Sequence, residues 1–213
     1  MRLTRKLVLT ALAATALLAA LATTSAAREF ETSEQRIRVV FRPLILKASS
    51  GDSVSCTVTL EGSFHYRTIR KVAASLIGYI TRAIVETANC GSGPTTGITA
   101  AALTETLPWH ITYVDFSGTL PNVTFRIKLN NAGFNLINVP IIGRCRYTAT
   151  TNGIVGGPGG NEITEGTRNS TVTAENGIRI RSSTFGCPEG QFESAPTPVT
   201  IQGGTTPVTV RLI

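Results

Sequence analysis

The chain has 213 residues, with 20 Lys and Arg against 13 Asp and Glu for a net charge of +7, 6% aromatic residues and four cysteines. A chain of this length buries about 70% of its unfolded surface in a single core, so cross-links are not needed merely for it to fold. No C-x-x-C pair is present, which argues against a cysteine-bound metal.

Residues 1–27 read as an export leader. Arg2, Arg5 and Lys6 precede an apolar run from Leu7 to about Ala22, and Ser25 and Ala27 stand where a signal peptidase reads. Removal of that leader leaves 186 residues, 28–213, expected to form one disulfide-containing domain, and lowers the net charge to +4 because three basic residues leave with it. No second apolar run of spanning length follows, so no integral membrane segment is expected in the mature chain. The expected location is secreted or extracellular, where cysteines pair.

Alternation with period two then dominates. Ile37, Val39 and Phe41 turn one way and Arg36 and Arg38 the other. After the turn Ser49-Ser50-Gly51-Asp52, the residues Val54, Cys56, Val58 and Leu60 alternate with Ser53, Ser55, Thr57, Thr59 and Glu61, the pattern of a half-buried strand. The next stretch, 69–85, is ambiguous. Apolar residues at 69, 72, 73, 76, 80, 83 and 84 fit one face of a helix. Gly78 and the β-favouring run Ile77 to Thr81 argue for strand, leaving a short helix near 69–85 as the alternative.

Further along, Trp109 is expected to be buried, and Val123, Phe125, Ile127 and Leu129 mark another strand that pushes Arg126 and Lys128 outward. Cys145 and Tyr147 do the same for Arg144 and Arg146, and Ile178 and Ile180 for Arg179 and Arg181. Between them, 153–177 is glycine-rich and poor in large apolar residues and reads as a long loop; its acidic residues argue against a phosphate cradle. The related units Thr197 to Ile201 and Thr206 to Val210 flank Gly203-Gly204 and read as a closing hairpin, each proline placed where a strand begins. Many short strands with turns between them predict an all-β fold, an antiparallel β-sandwich. Cys56, Cys90, Cys145 and Cys187 allow three pairings; the sequential one, Cys56 with Cys90 and Cys145 with Cys187, closes the shortest loops and is the expected one.

For function, the arginine placement is the positive signal. If the outward strands are neighbours, Arg126, Lys128, Arg144, Arg146, Arg179 and Arg181 form a positive face for an anionic polymer, such as one of the cell envelope. The competing reading is that charges on sheet faces and edges prevent aggregation. An enzyme or small metal site would have to be built from His65 and His110, the two histidines, with Asp115, Ser117 or Glu61. No G-x-S-x-G or H-E-x-x-H pattern supports it, and no catalytic residue, metal or cofactor is assigned. The sequons at Asn122 and Asn169 matter only in a eukaryotic secretory route.

The stretch Leu107-Pro108-Trp109-His110, with Tyr113, Phe116 to Pro121 and Cys145-Arg146-Tyr147, resembles small exported proteins of high-GC Gram-positive bacteria that carry no assigned activity. That resemblance implies a bacterial extracellular setting, with the cell wall as the nearest partner, and carries over no site residue.

Overall fold

The computed structural model describes residues 29–213 apart from 52, 93–96, 120–121, 149–160, 164–167, 170, 173–178, 181 and 196. The expected leader lies outside the described residues, as does most of 153–177. In chain order the first strands are β1 (Glu29–Thr32), β2 (Arg36–Ala48), β3 (Ser53–Phe64), β4 (Thr68–Arg70), β5 (Leu76–Ser92) and β6 (Thr99–Ala102). A 3₁₀ turn at Thr104–Thr106 leads to β7 (Trp109–Thr119), β8 (Asn122–Asn130), β9 (Gly133–Val139) and β10 (Gly143–Thr148). Three short strands, β11 (Asn161–Ile163), β12 (Arg168–Asn169) and β13 (Thr171–Val172), fall where the sequence reads as loop. The chain finishes with β14 (Arg179–Ile180), β15 (Gly190–Ser194), β16 (Thr197–Ile201) and β17 (Thr209–Leu212).

The fold is all-β and antiparallel throughout, as the alternation predicts. The large sheet runs β11-β8-β7-β5-β3-β2-β15-β14, with β16 also on β2; a second sheet runs β10-β9-β6 and a third β12-β17-β1-β4. Leu44, Val54, Val58 and Phe192 of the large sheet meet Ala100, Phe134 and Leu136 of the second around a residual void of about 20 Å³. That gap is about one water in size, so the two faces are packed like a protein interior. Trp109 is fully buried; its ring stands 5.3 Å from Phe134, whose ring is 5.2 Å from Phe192, and its indole N–H donates to Thr106 Oγ1 at 2.8 Å. Burying the indole is tolerable because its donor is satisfied.

Both expected disulfides are present. Cys56–Cys90 joins the neighbours β3 and β5, whereas Cys145–Cys187 fastens β10 to the turn before β15 and so ties the second sheet to the large one.

Two bulges control which side chains reach the core. In β2 the register against β3 shifts between Phe41 and Leu44, so Arg42 and Pro43 have no partners there and both stand exposed. Proline, lacking an N–H, fits such a break. Before it the buried residues are Ile37, Val39 and Phe41; after it they are Leu44 and Leu46. The far side of β2 is divided at the same point, residues 37–39 pairing with β16 and 44–48 with β15. In β5 the register shifts between Leu76 and Gly78 against β7, and opposite Glu61/Gly62 against β3. Segment 69–85 is therefore strand, comprising β4, a turn and the first part of β5, and not helix. The shifts leave Ile77, Ile80 and Ala83 buried at intervals of three, a spacing that imitates a helical face.

The expected closing hairpin forms only in part. Val208 N–H donates to Val199 O and Ile201 N–H to Thr206 O, after which β17 leaves to pair with β1. Val208 and Val210 thereby join Phe30, Thr32 and Ile69 in burying one face of the third sheet.

Candidate anion-binding face

Strand parity holds at β10, where Cys145 and Tyr147 are buried, Arg144 is exposed and Arg146 is half-buried. The six basic positions singled out from sequence do not, however, gather in one sheet. Arg126 and Lys128 lie on β8, separated by five intervening strands from Arg179 on β14 in the large sheet, while Arg144 and Arg146 belong to the second sheet. Their register partners are Asp115 for Arg126, Thr112 for Lys128 and Gln191 for Arg179. β10 does approach the segment after β14, through a bridge between Tyr147 and Ser182 and the Arg146 N–H donating to Thr184 Oγ1 at 3.1 Å. Arg181 lies outside the described residues. Arg146 is already engaged, its Nη1 standing 2.8 Å from Glu105 Oε1. The Glu105 carboxyl is held below its ordinary range first by its own backbone N–H and then by Arg146.

The two histidines come close without meeting. His65 and His110 flank Tyr79, ring centroids 4.8 and 5.1 Å from it, both edge-on. The register explains this arrangement, since Ser63, Tyr79 and His110 are aligned across β3, β5 and β7. Asp115 sits further along β7 opposite Arg126, and Glu61 is committed to two arginines. Among the described residues no three His, Cys, Asp or Glu side chains are placed to hold a metal ion. Tyr79 standing edge-on between the two imidazoles is an aromatic packing arrangement.

Basic side chains concentrate instead on the outward side of β2, β3 and β5. Arg38, Glu61 and Arg82 are register partners in three adjacent strands, which puts their side chains about 5 Å apart on one face. Glu61 belongs to the outward set by parity yet its side chain is only 10% exposed: Arg38 Nε stands 3.6 Å from Oε1 and Arg82 Nη1 3.2 Å from Oε2. A carboxylate so enclosed is tolerated because both oxygens face a guanidinium. Arg36 lies two residues along β2 from Arg38, and Arg42 is thrown out by the bulge; both are exposed, Arg36 sharing the Glu34 carboxylate with Arg67 and Arg42 having no acidic partner among the described residues. Two guanidinium groups thus share the Glu61 carboxylate, with Arg42 an exposed third beside them.

A larger groove beside β4 shows the opposite balance. Its volume is about 730 Å³ and Tyr66, Val72 and Leu76 are exposed in it, but Arg67 is paired with Glu34 at 3.8 Å and Arg70 with Glu29 at 3.3 Å. Both arginines that line the groove thus already have a carboxylate.

Sequence parity places Arg36 and Arg38 outward but does not join them to Arg42 and Arg82. The Arg42-Pro43 dipeptide was the available sign of a bulge, and Arg82 was hidden in the stretch with a helical spacing. Compared with known proteins, the chain matches no family model, no curated protein and no solved structure.

Proposed function

We propose that this chain is an exported, non-enzymatic binding protein that holds an anionic polymer on the outward face of β2, β3 and β5. The observation that carries the reading is the surplus of guanidinium groups there: Arg38 and Arg82 share the Glu61 carboxylate, Arg36 shares Glu34 with Arg67, and Arg42 is exposed with no acidic partner among the described residues. Like charges at this spacing repel, so a bound polyanion would lower their energy. Export is supported by the leader-like residues 1–27 and by two disulfides, which persist in oxidising compartments. Guanidinium groups spread along an extended sheet face suit a repeating polymer of carboxylate, sulfate or phosphate groups better than a compact ligand.

The test is retention on immobilised heparin, as a polyanion probe, over a salt series. The parent should bind at low salt and elute steeply as salt rises. The double variant Arg36→Ser with Arg42→Ser should lose about tenfold in affinity, with a salt slope shallower by about two. Heparin binding unchanged in that variant, or lost in Arg144→Ser with Arg146→Ser instead, would overturn the assignment to this face.

A further inference from the structure

We infer that the cavity of about 430 Å³ between the β2 bulge and β16 seats a carboxylated sugar unit, with Arg42 as the partner of its carboxylate. This inference rests on the polymer reading and gives it a substrate class. The cavity opens on the side of β2 away from the core, since Arg38, Val40, Pro198 and Thr200, which line it, alternate with the buried Val39, Phe41 and Val199. Its existence follows from the bulge. Where β2 loses its regular pairing, Arg42 and Pro43 are pushed outward, and the change of partner from β15 to β16 at the same level leaves a gap alongside.

Three properties of the walls select the ligand. First, two arginines and, among the described residues, no acidic side chain line the cavity, so it favours an anion. Among the described residues Arg42 has no acidic partner, whereas Arg38 is held in place by Glu61 at 3.6 Å, with its buried Nε making no hydrogen bond. Second, Thr200 donates its hydroxyl to Arg38 O at 3.2 Å, which leaves its oxygen free to accept, and Thr205 on the turn is exposed beside it. Hydroxyls of this kind recognise sugar hydroxyls. Third, Pro43 and Pro198 offer apolar ring faces against which the C–H face of a pyranose packs. A bare tetrahedral oxyanion would use the arginines but leave the prolines and most of the volume unfilled.

The experiment is titration of the full chain, followed by NMR or calorimetry, with glucuronic acid, glucose and inorganic phosphate as probes. Glucuronate should bind saturably in the millimolar range, and glucose and phosphate at least tenfold more weakly. Arg42→Gln should lower glucuronate affinity about tenfold with the melting temperature retained. Thr205→Leu, which fills the mouth from an exposed turn position and leaves both arginines in place, should abolish it. Phosphate binding as tight as glucuronate, or glucuronate binding indifferent to both substitutions, would overturn the sugar seat. The two proposals fail separately: heparin retention without any glucuronate binding removes the cavity and keeps the polymer face. Glucuronate binding that Arg42→Gln weakens, without heparin retention, removes the polymer and keeps the cavity.

Discussion

Replacing Glu61 by Gln tests the charge arrangement most directly, because stability and binding should move in opposite directions. The substitution keeps shape and one accepting oxygen but removes the negative charge between Arg38 and Arg82. Arg82 donates to Glu61 at 3.2 Å and its side chain is 63% exposed, whereas Arg38 lies at 3.6 Å without a hydrogen bond and is 36% exposed. A charge-assisted hydrogen bond to a desolvated carboxylate is worth about 1.5 kcal/mol, and the longer pair, screened by solvent, about 0.5 kcal/mol. The variant should therefore be about 2 kcal/mol less stable in urea, or melt about 4–8 °C lower for a domain of this size. Heparin affinity at low salt should rise about threefold, since an unmatched positive charge is added to the face. In a double-mutant cycle with Arg82→Gln, a coupling of about 1 kcal/mol is expected. A stability loss below about 0.5 kcal/mol, or heparin affinity that stays level or falls, would refute the reasoning.

Other perturbations test the scaffold. Gly62→Ala should prevent folding or cost more than about 3 kcal/mol, because a Cβ there would lie 2.0 Å from the Tyr79 carbonyl oxygen and 2.8 Å from Ile80 Cα, backbone atoms that cannot step aside; near-UV circular dichroism and soluble yield report it. Removing the 42-residue Cys145–Cys187 closure by double Ala substitution should cost up to about 4 kcal/mol in urea unfolding, by releasing the second sheet from the large one. Burial pushes the Tyr147 phenol above its ordinary value of 10, and that of Tyr113 likewise, with Asp115 adding to the latter. With folded-state values above the unfolded ones, this stabilisation is complete below pH 10 and is lost as pH rises through the folded values. Tyr147→Phe should flatten the alkaline fall in melting temperature above pH 10, at a cost of about 1 kcal/mol at neutral pH from the lost hydrogen bond to Pro188 O.

Much of the architecture is legible in the sequence because strands with one dry face must alternate. The buried run Val54, Cys56, Val58 and Leu60, the thiol and phenol of Cys145 and Tyr147, and both disulfide pairings follow from parity and loop length. Parity fails where a bulge inserts an extra residue, and two of the least legible segments are bulged. Ile77, Ile80 and Ala83 look helical because two register shifts turn a period of two into a period of three. The binding face was less legible for a related reason. Outward direction is written in the alternation, but adjacency is set by strand order, and nothing in Arg126, Arg144 or Arg179 records that their strands stand far apart or in different sheets. Glu61 illustrates the remaining gap: its position on the outward face was readable, whereas its enclosure depends on Arg38 and Arg82 arriving from two other strands.

The bulge at Arg42-Pro43 also works as a frame counter. Odd-numbered residues of β2 enter the core before it and even-numbered ones after it. Deleting a single residue at 42–43 would restore uninterrupted alternation from Phe41 with Leu44 and Leu46 still inward, whereas deleting both would rotate the distal half of the strand by half a turn, driving Ile45 and Lys47 inward and Leu44 and Leu46 into water. A length change at this point is therefore survivable when it removes the one extra residue and not when it removes two, a signature that would separate genuine relatives of this chain from chance likenesses.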